Sequence, residues 1–207
     1  MKIELADSYG FCFGVKRAIR IAENTKDSAT YGELIHNAEE INRLKEHFNV
    51  KTLNTMQDLE NENSIIIRTH GITKKDLDAF KSQNKKIIDA TCPFVSKPQN
   101  IVEKMSKDGY DIVIFGDKNH PEVKGIMSYA LKNVFVVLNT DELMNKKISN
   151  KVAVVSQTTK KVEEFTKIVS FLITRSKEVR VFNTICNATL ENQKAVEKLA
   201  KKEIGRA

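Results

Sequence analysis

The sequence goes through the same ordered set of marks twice and begins a third pass. Cys12 is followed by an amphipathic stretch and a strand-like run ending in Gly32-x-x-x-His36. Cys92 is followed by the same pair of features, ending in Gly116-x-x-x-His120. Each histidine leads through a further helix and strand into Leu-Asn-Thr, at 53–55 in one copy and 138–140 in the other. Next come Ile65-Ile66-Ile67-Arg68-Thr69-His70 and Val152-Ala153-Val154-Val155-Ser156-Gln157, each opening into a Thr-Lys-Lys helix start at 73–75 or 159–161. A last strand then delivers the next cysteine, Cys92 in one case and Cys186 in the other. Short apolar runs occur in any α/β chain. The shared order of Cys, Gly-x-x-x-His, Leu-Asn-Thr and Thr-Lys-Lys is what argues for duplication.

Periodicity predicts strands at 65–67, 86–88, 111–115, 134–138, 152–155 and 178–182. It predicts helices at 15–24, 39–47, 74–83, 100–107 and 189–202. Strand–helix alternation with short connections means parallel sheets flanked by helices, so the fold class is α/β. The repeat divides the chain into a first α/β module over 13–91 and a second over 92–185. Residues 186–207, with a strand from 1–12, begin a third. In both earlier copies a glycine follows the helix that starts at the cysteine, and the chain ends at Ala207 where the third is due. The third module is therefore expected to be incomplete.

Composition narrows the functional classes. The chain is 41% hydrophobic and 29% charged with eight Gly and three Pro, which fits a globular protein and neither a disordered nor a fibrous one. No apolar run approaches the ~18 residues that cross a bilayer. The start, MKIELADSYGF, lacks the apolar core and cleavage site of a signal peptide, so a cytoplasmic, reducing location is expected. Three widely spaced cysteines in that compartment are not expected to form disulfides. The net charge of +7 favours anionic partners. Its lysine pairs are scattered over several helical stretches, without a basic arm, zinc-finger spacing or aromatic RNA-binding signature, so no nucleic-acid role is expected.

In parallel α/β units, functional groups gather where strands end and helices begin. Cys12, Cys92 and Cys186 fall at such junctions, as do His36, His70 and His120. A structural zinc site normally uses closely spaced Cys pairs, and none is present. Thiolates far apart in sequence suit an iron–sulfur cluster held between modules. A cubane on three cysteines leaves one iron open as a Lewis acid. Singly, each cysteine reads as a small buried apolar residue; equivalent places in a repeat weaken that reading. Lone histidines usually bond backbone, but three at strand ends with Thr158 and Thr159 nearby suit an anion such as phosphate or diphosphate. His47 lies within a helix and reads as surface. Glu122, in His-Pro-Glu-Val, either favours a helix start or, in a low-dielectric cavity, serves as a proton donor.

The motifs Gly10-Phe11-Cys12-Phe13-Gly14-Val15-Lys16-Arg17-Ala18, Leu34-Ile35-His36-Asn37, Thr69-His70-Gly71, Asp89-Ala90-Thr91-Cys92-Pro93, His120-Pro121-Glu122-Val123, Ser156-Gln157-Thr158-Thr159 and Thr184-Ile185-Cys186-Asn187-Ala188-Thr189 stand in family order. In that order the chain resembles the 4-hydroxy-3-methylbut-2-enyl diphosphate reductases of the non-mevalonate isoprenoid pathway. The resemblance runs from Met1 to about Lys202. It implies a trefoil of α/β modules around a [4Fe–4S] cluster ligated by Cys12, Cys92 and Cys186. It also implies a diphosphate clamped by His36, His70, His120 and hydroxyl groups. Glu122 is then the proton source, and Thr158 positions the substrate hydroxyl. Reduced ferredoxin or flavodoxin would supply single electrons, and the products would be isopentenyl and dimethylallyl diphosphate. The family's Gly-Lys-Asn-Ser-Ser-Asn-like loop and later Gly-Ala-Ser loop have no counterpart in these residues. The rival readings are a dehydratase resembling quinolinate synthase and a non-catalytic truncated fragment. The first has carboxylate substrates and calls for arginine or serine clamps rather than a histidine ring.

Overall fold

The computed structural model describes residues 3–83 and 85–202. In chain order the first half runs α1 (Phe13–Glu23), β1 (Ser28–Tyr31), α2 (Ala38–Phe48), β2 (Val50–Leu53), β3 (Ser64–Ile67), α3 (Lys74–Ser82) and β4 (Lys86–Asp89). The second half runs α4 (Pro93–Lys107), β5 (Asp111–Phe115), α5 (Pro121–Met127), β6 (Val134–Val137), α6 (Asp141–Met144), β7 (Lys151–Ser156), α7 (Val162–Ile173), β8 (Glu178–Val181) and α8 (Asn187–Lys202).

The duplication is visible in the sheets. Strands pair in the order β2-β1-β3-β4 in the first and β6-β5-β7-β8 in the second. Every pairing is parallel. Both faces of each sheet are covered, so the central strands β3, β5 and β7 are largely apolar, with alternate residues feeding different cores, while β1 buries Ser28 and Thr30 as well. Ile112 and Ile114 pack with Val102, Met105 and Ile126 on one face. Val113 and Phe115 pack with Phe165, Ile168 and Leu172 on the other. In the first sheet, Ile66 joins Ala18, Ala22 and Leu44, while Ile65 and Ile67 join Phe80 and Leu59.

This topology has a switch point between β1 and β3, and another between β5 and β7. Connections leaving adjacent strands there diverge to opposite faces and open a crevice at the carboxyl ends. The loops after these four strands carry His36, His70, His120 and Thr158.

Three expectations differ in detail. The helix expected at 100–107 begins at Pro93 and runs through Pro98. Proline removes the amide bond to the carbonyl four residues back, here that of Phe94. The second Thr-Lys-Lys does not start its helix as the first does. Thr73 caps α3 by accepting from the Asp76 amide, whereas α7 begins after Lys161 without a side-chain cap. The Thr159 hydroxyl is engaged instead by Gln157 Nε2 at 3.1 Å. Residues 3–12, expected as a strand, carry none; they lie along α8, with Ser8 donating to Asn192 at 2.6 Å and Lys198 pairing with Asp7 at 2.6 Å. The described residues offer that segment no third sheet to join. The place where the third repeat's glycine is due, from 206 onward, lies outside the described residues.

Candidate functional site

The site is built from strand ends and helix starts. Cys12 and Cys92 are the N-caps of α1 and α4, both extended, and neither side chain caps a helix amide. Cys186 immediately precedes α8. All three thiols are partly buried and unbridged. Gly14 sets how closely α1 meets α4: a Cβ there would lie 2.5 Å from Cys92 Sγ and 4.0 Å from Cys12 Sγ. Burial raises the Cys92 thiol pKa, the nearby Phe94 and Val95 amides oppose the rise without meeting hydrogen-bond geometry, and the Cys12 and Cys186 sulfurs add to it.

The histidines form a short stack. His36 and His70 have ring centroids 4.5 Å apart, and His70 meets His120 edge to face at 5.7 Å. His120 is the N-cap of α5, and its Nδ1 accepts from the Glu122 amide at 3.2 Å. That bond needs a lone pair on Nδ1, so the neutral ring carries its proton on Nε2 and can donate from there. His70 sits beside Thr69, whose hydroxyl donates to the Leu34 carbonyl at 2.9 Å. Burial, reinforced by His36, His120 and Arg68, lowers the His70 pKa to about 4. At neutral pH it is an uncharged donor. His36 is the exposed member, 3.5 Å from Glu33.

Glu122 follows His120 in the first turn of α5 and is 1% exposed. Thr158 serves both its oxygens, the amide donating to Oε1 and the hydroxyl to Oε2, each at 2.8 Å. Burial raises the Glu122 pKa, and the two Thr158 hydrogen bonds only partly offset it.

One cavity of about 240 Å³ brings every expected site residue together: the three cysteines, the three histidines, Glu122 and Thr158. Among the described residues, no lysine or arginine lines it. Among the described residues, no three His, Cys, Asp or Glu side chains are grouped so as to hold a metal ion. Free thiols on separate helices, kept apart around one space, fit a group with several metal atoms better than a single ion. Sequence reasoning missed Gly14 and Thr69, which both belong here. Each flanks a residue it did identify, so the signal lay in Cys-Phe-Gly and Thr-His-Gly read as units. His47 is exposed on α2, away from the cavity, as expected.

No helix among the described residues is long and apolar enough to cross a membrane. Residues 3–205 match the model of the family described as LytB protein. The 4-hydroxy-3-methylbut-2-enyl diphosphate reductase of Campylobacter hominis is 71% identical over 202 residues, 98% of this chain and 74% of that protein. That of Campylobacter fetus subsp. fetus is 69% identical over 97% of this chain and 72% of its own length. A solved (E)-4-hydroxy-3-methyl-but-2-enyl diphosphate reductase, described as the terminal enzyme of the non-mevalonate pathway, superposes with a TM-score of 0.80 at 37% identity. It covers 97% of this chain and 73% of its own. The Plasmodium falciparum reductase superposes at 0.86 with 28% identity, over 95% of this chain and 64% of its own.

Proposed function

The chain belongs to the LytB family, and we propose that the cavity shared by its two sheets is where 4-hydroxy-3-methylbut-2-enyl diphosphate is bound and reduced. The reaction is that of its relatives. The carbon–oxygen bond to the allylic hydroxyl breaks, two electrons and two protons are taken up, and water leaves with isopentenyl or dimethylallyl diphosphate. The family finding sets aside the reading that resembled quinolinate synthase.

Cys12, Cys92 and Cys186 would hold a [4Fe–4S] cluster. When bound, this cluster supplies the electrons and one iron without a protein ligand as a Lewis acid for the hydroxyl. Reduced ferredoxin or flavodoxin would deliver electrons singly. What the chain's own residues do follows from their protonation and burial. His36, His70 and His120 present ring donors to the diphosphate, with His120 fixed as an Nε2 donor by its bond to the Glu122 amide. Glu122, whose burial favours the protonated form, is the proton source. Thr158 fixes that carboxyl and orients the substrate hydroxyl beside it. The apolar walls keep bulk water from competing for these groups.

The observation carrying this reading is that a buried carboxyl favouring its proton, three histidines and three free thiols face one cavity. The division into modules at 13–91 and 92–185, with 186–207 and 1–12 opening a third, is proposed on the same ground: a cysteine starts each unit. The test is anaerobic reconstitution with iron and sulfide, followed by turnover with a chemical reductant. A chain that takes up about four irons and consumes the substrate supports the reading; uptake without any consumption refutes it.

A further inference from the structure

The cavity proposed to hold a diphosphate has no lysine or arginine among the described residues that line it, and burial holds His70 neutral. A charged ligand held only by neutral donors would lose most of its hydration for little Coulombic return. A nearby cation is therefore expected behind the histidines, and Arg68 is placed there.

Arg68 leaves the end of β3 two residues before His70. Its Nε donates to the Gly71 carbonyl at 3.3 Å, bracing the turn on the far side of that histidine. Its guanidinium lies under Gly32, where a Cβ would come within 2.5 Å of Nη1. Gly32 opens the loop that carries His36, and it holds a φ of +77° that favours glycine. One side chain thus touches the two loops whose histidine rings stand 4.5 Å apart. The guanidinium has no ion-pair partner among the described residues. Of its acidic neighbours, Asp76 accepts from the Thr73 hydroxyl at 2.8 Å, and Glu33 is an exposed side chain 3.5 Å from His36. Burial holds its pKa below the usual arginine range, and its charge is felt at His70 and, after that of Lys160, at His120; at His70 it is the one lysine or arginine charge that acts.

We infer that Arg68 is a positioning and charge-supplying residue for the diphosphate: it braces the His36 and His70 loops together and provides the cation that the cavity wall lacks. It acts through those loops and the field it sets up, not by touching the reacting atoms. The inference rests on the reading that these histidines bind the diphosphate.

The experiment measures the affinity of the full chain for inorganic diphosphate by calorimetry, and KM and kcat for the substrate, in Arg68→Gln, Arg68→Lys and His120→Ala. Removing the charge in Arg68→Gln should weaken diphosphate binding and raise KM about tenfold, with kcat changed less than about threefold. Arg68→Lys keeps the charge and should recover most of both. His120→Ala should lose binding whatever stands at 68. If His120→Ala loses binding while Arg68→Gln binds as wild type, this inference falls and the histidine reading stands. If Arg68→Lys is as poor as Arg68→Gln and both melt lower, Arg68 is only a structural brace, which also overturns it. Unchanged binding in His120→Ala overturns the histidine reading and this inference with it.

Discussion

Thr158 holds both oxygens of the Glu122 carboxyl, its amide on Oε1 and its hydroxyl on Oε2, each at 2.8 Å. Glu122 lies in the first turn of α5, which follows β5, and Thr158 in the loop after β7, and they meet only because those strands flank the switch point. The carboxyl is thereby fixed while 1% exposed, in surroundings that favour its protonated form.

Glu122→Gln keeps the shape and an acceptor for the Thr158 amide but has no proton to give. Turnover should fall about 10²-fold or more, the scale of a positioned general acid, while iron content stays at the wild-type level. The wild type should also lose activity as pH rises through the raised Glu122 pKa, and this limb should be missing from the variant. A pH–rate profile of both proteins decides it. Near-normal turnover would reduce Glu122 to a residue that favours the start of α5.

Thr158→Val deletes one of the two hydrogen bonds that lower the Glu122 pKa, so that pKa rises further and Oε2 is left buried without its donor. A carboxyl with a raised folded-state pKa contributes stability below its unfolded value and loses it as pH rises through the folded value. The variant should therefore be less stable than wild type by about 1–3 kcal/mol at pH 8, where the charged form needs the hydroxyl, and by less at pH 5. Urea unfolding at the two pH values measures this. An equal deficit at both would assign the cost to packing instead.

Much of this was legible in the sequence because a duplicated unit leaves two copies of each mark. Cys12 and Cys92, His36 and His120, and the paired Leu-Asn-Thr triplets fixed where strands end, and parallel α/β topology then put those ends on one side. The parts that stayed hidden depend on neighbours rather than on pattern. Nothing local says that Pro98 lies within a helix, since that depends on its burial against the rest of the fold. Nothing local says that Thr159 is held by Gln157 and so fails to cap α7 as Thr73 caps α3. Arg68 stands just past the strand expected at 65–67 with nothing local to mark it, because its contacts with Gly32 and Gly71 exist only once β1 and β3 are paired.

Cys12→Ser, Cys92→Ser and Cys186→Ser should each cut iron and sulfide content sharply after anaerobic reconstitution, since a serine oxygen is a poorer ligand than thiolate for these clusters. None of the three thiols is bridged, and the Cys12 and Cys92 side chains cap no helix amide, so secondary structure by circular dichroism should be unchanged. Full iron loading in any two of the variants would remove the three-ligand assignment.

Gly14→Ala separates helix propensity from the needs of the site. Within a helix the change favours folding by up to about 1 kcal/mol, because glycine loses more backbone freedom than alanine. Here the new Cβ would sit 2.5 Å from Cys92 Sγ and 3.2 Å from its Cβ, closer than real atoms approach. Gly14 is buried and Cys92 is fixed by its place at the start of α4, so α1 must move or the Cys92 side chain must swing away. Overpacking of this kind costs about 1–3 kcal/mol, which exceeds the propensity gain. The expected result is a protein that melts lower than wild type and takes up less iron, since the displaced sulfur no longer faces Cys12 across the cavity. Thermal unfolding and iron analysis of the same preparation test both parts. A variant that is more stable and loads iron fully would show that α1 and α4 have room to separate, and that the closeness of Gly14 to Cys92 does not shape the site.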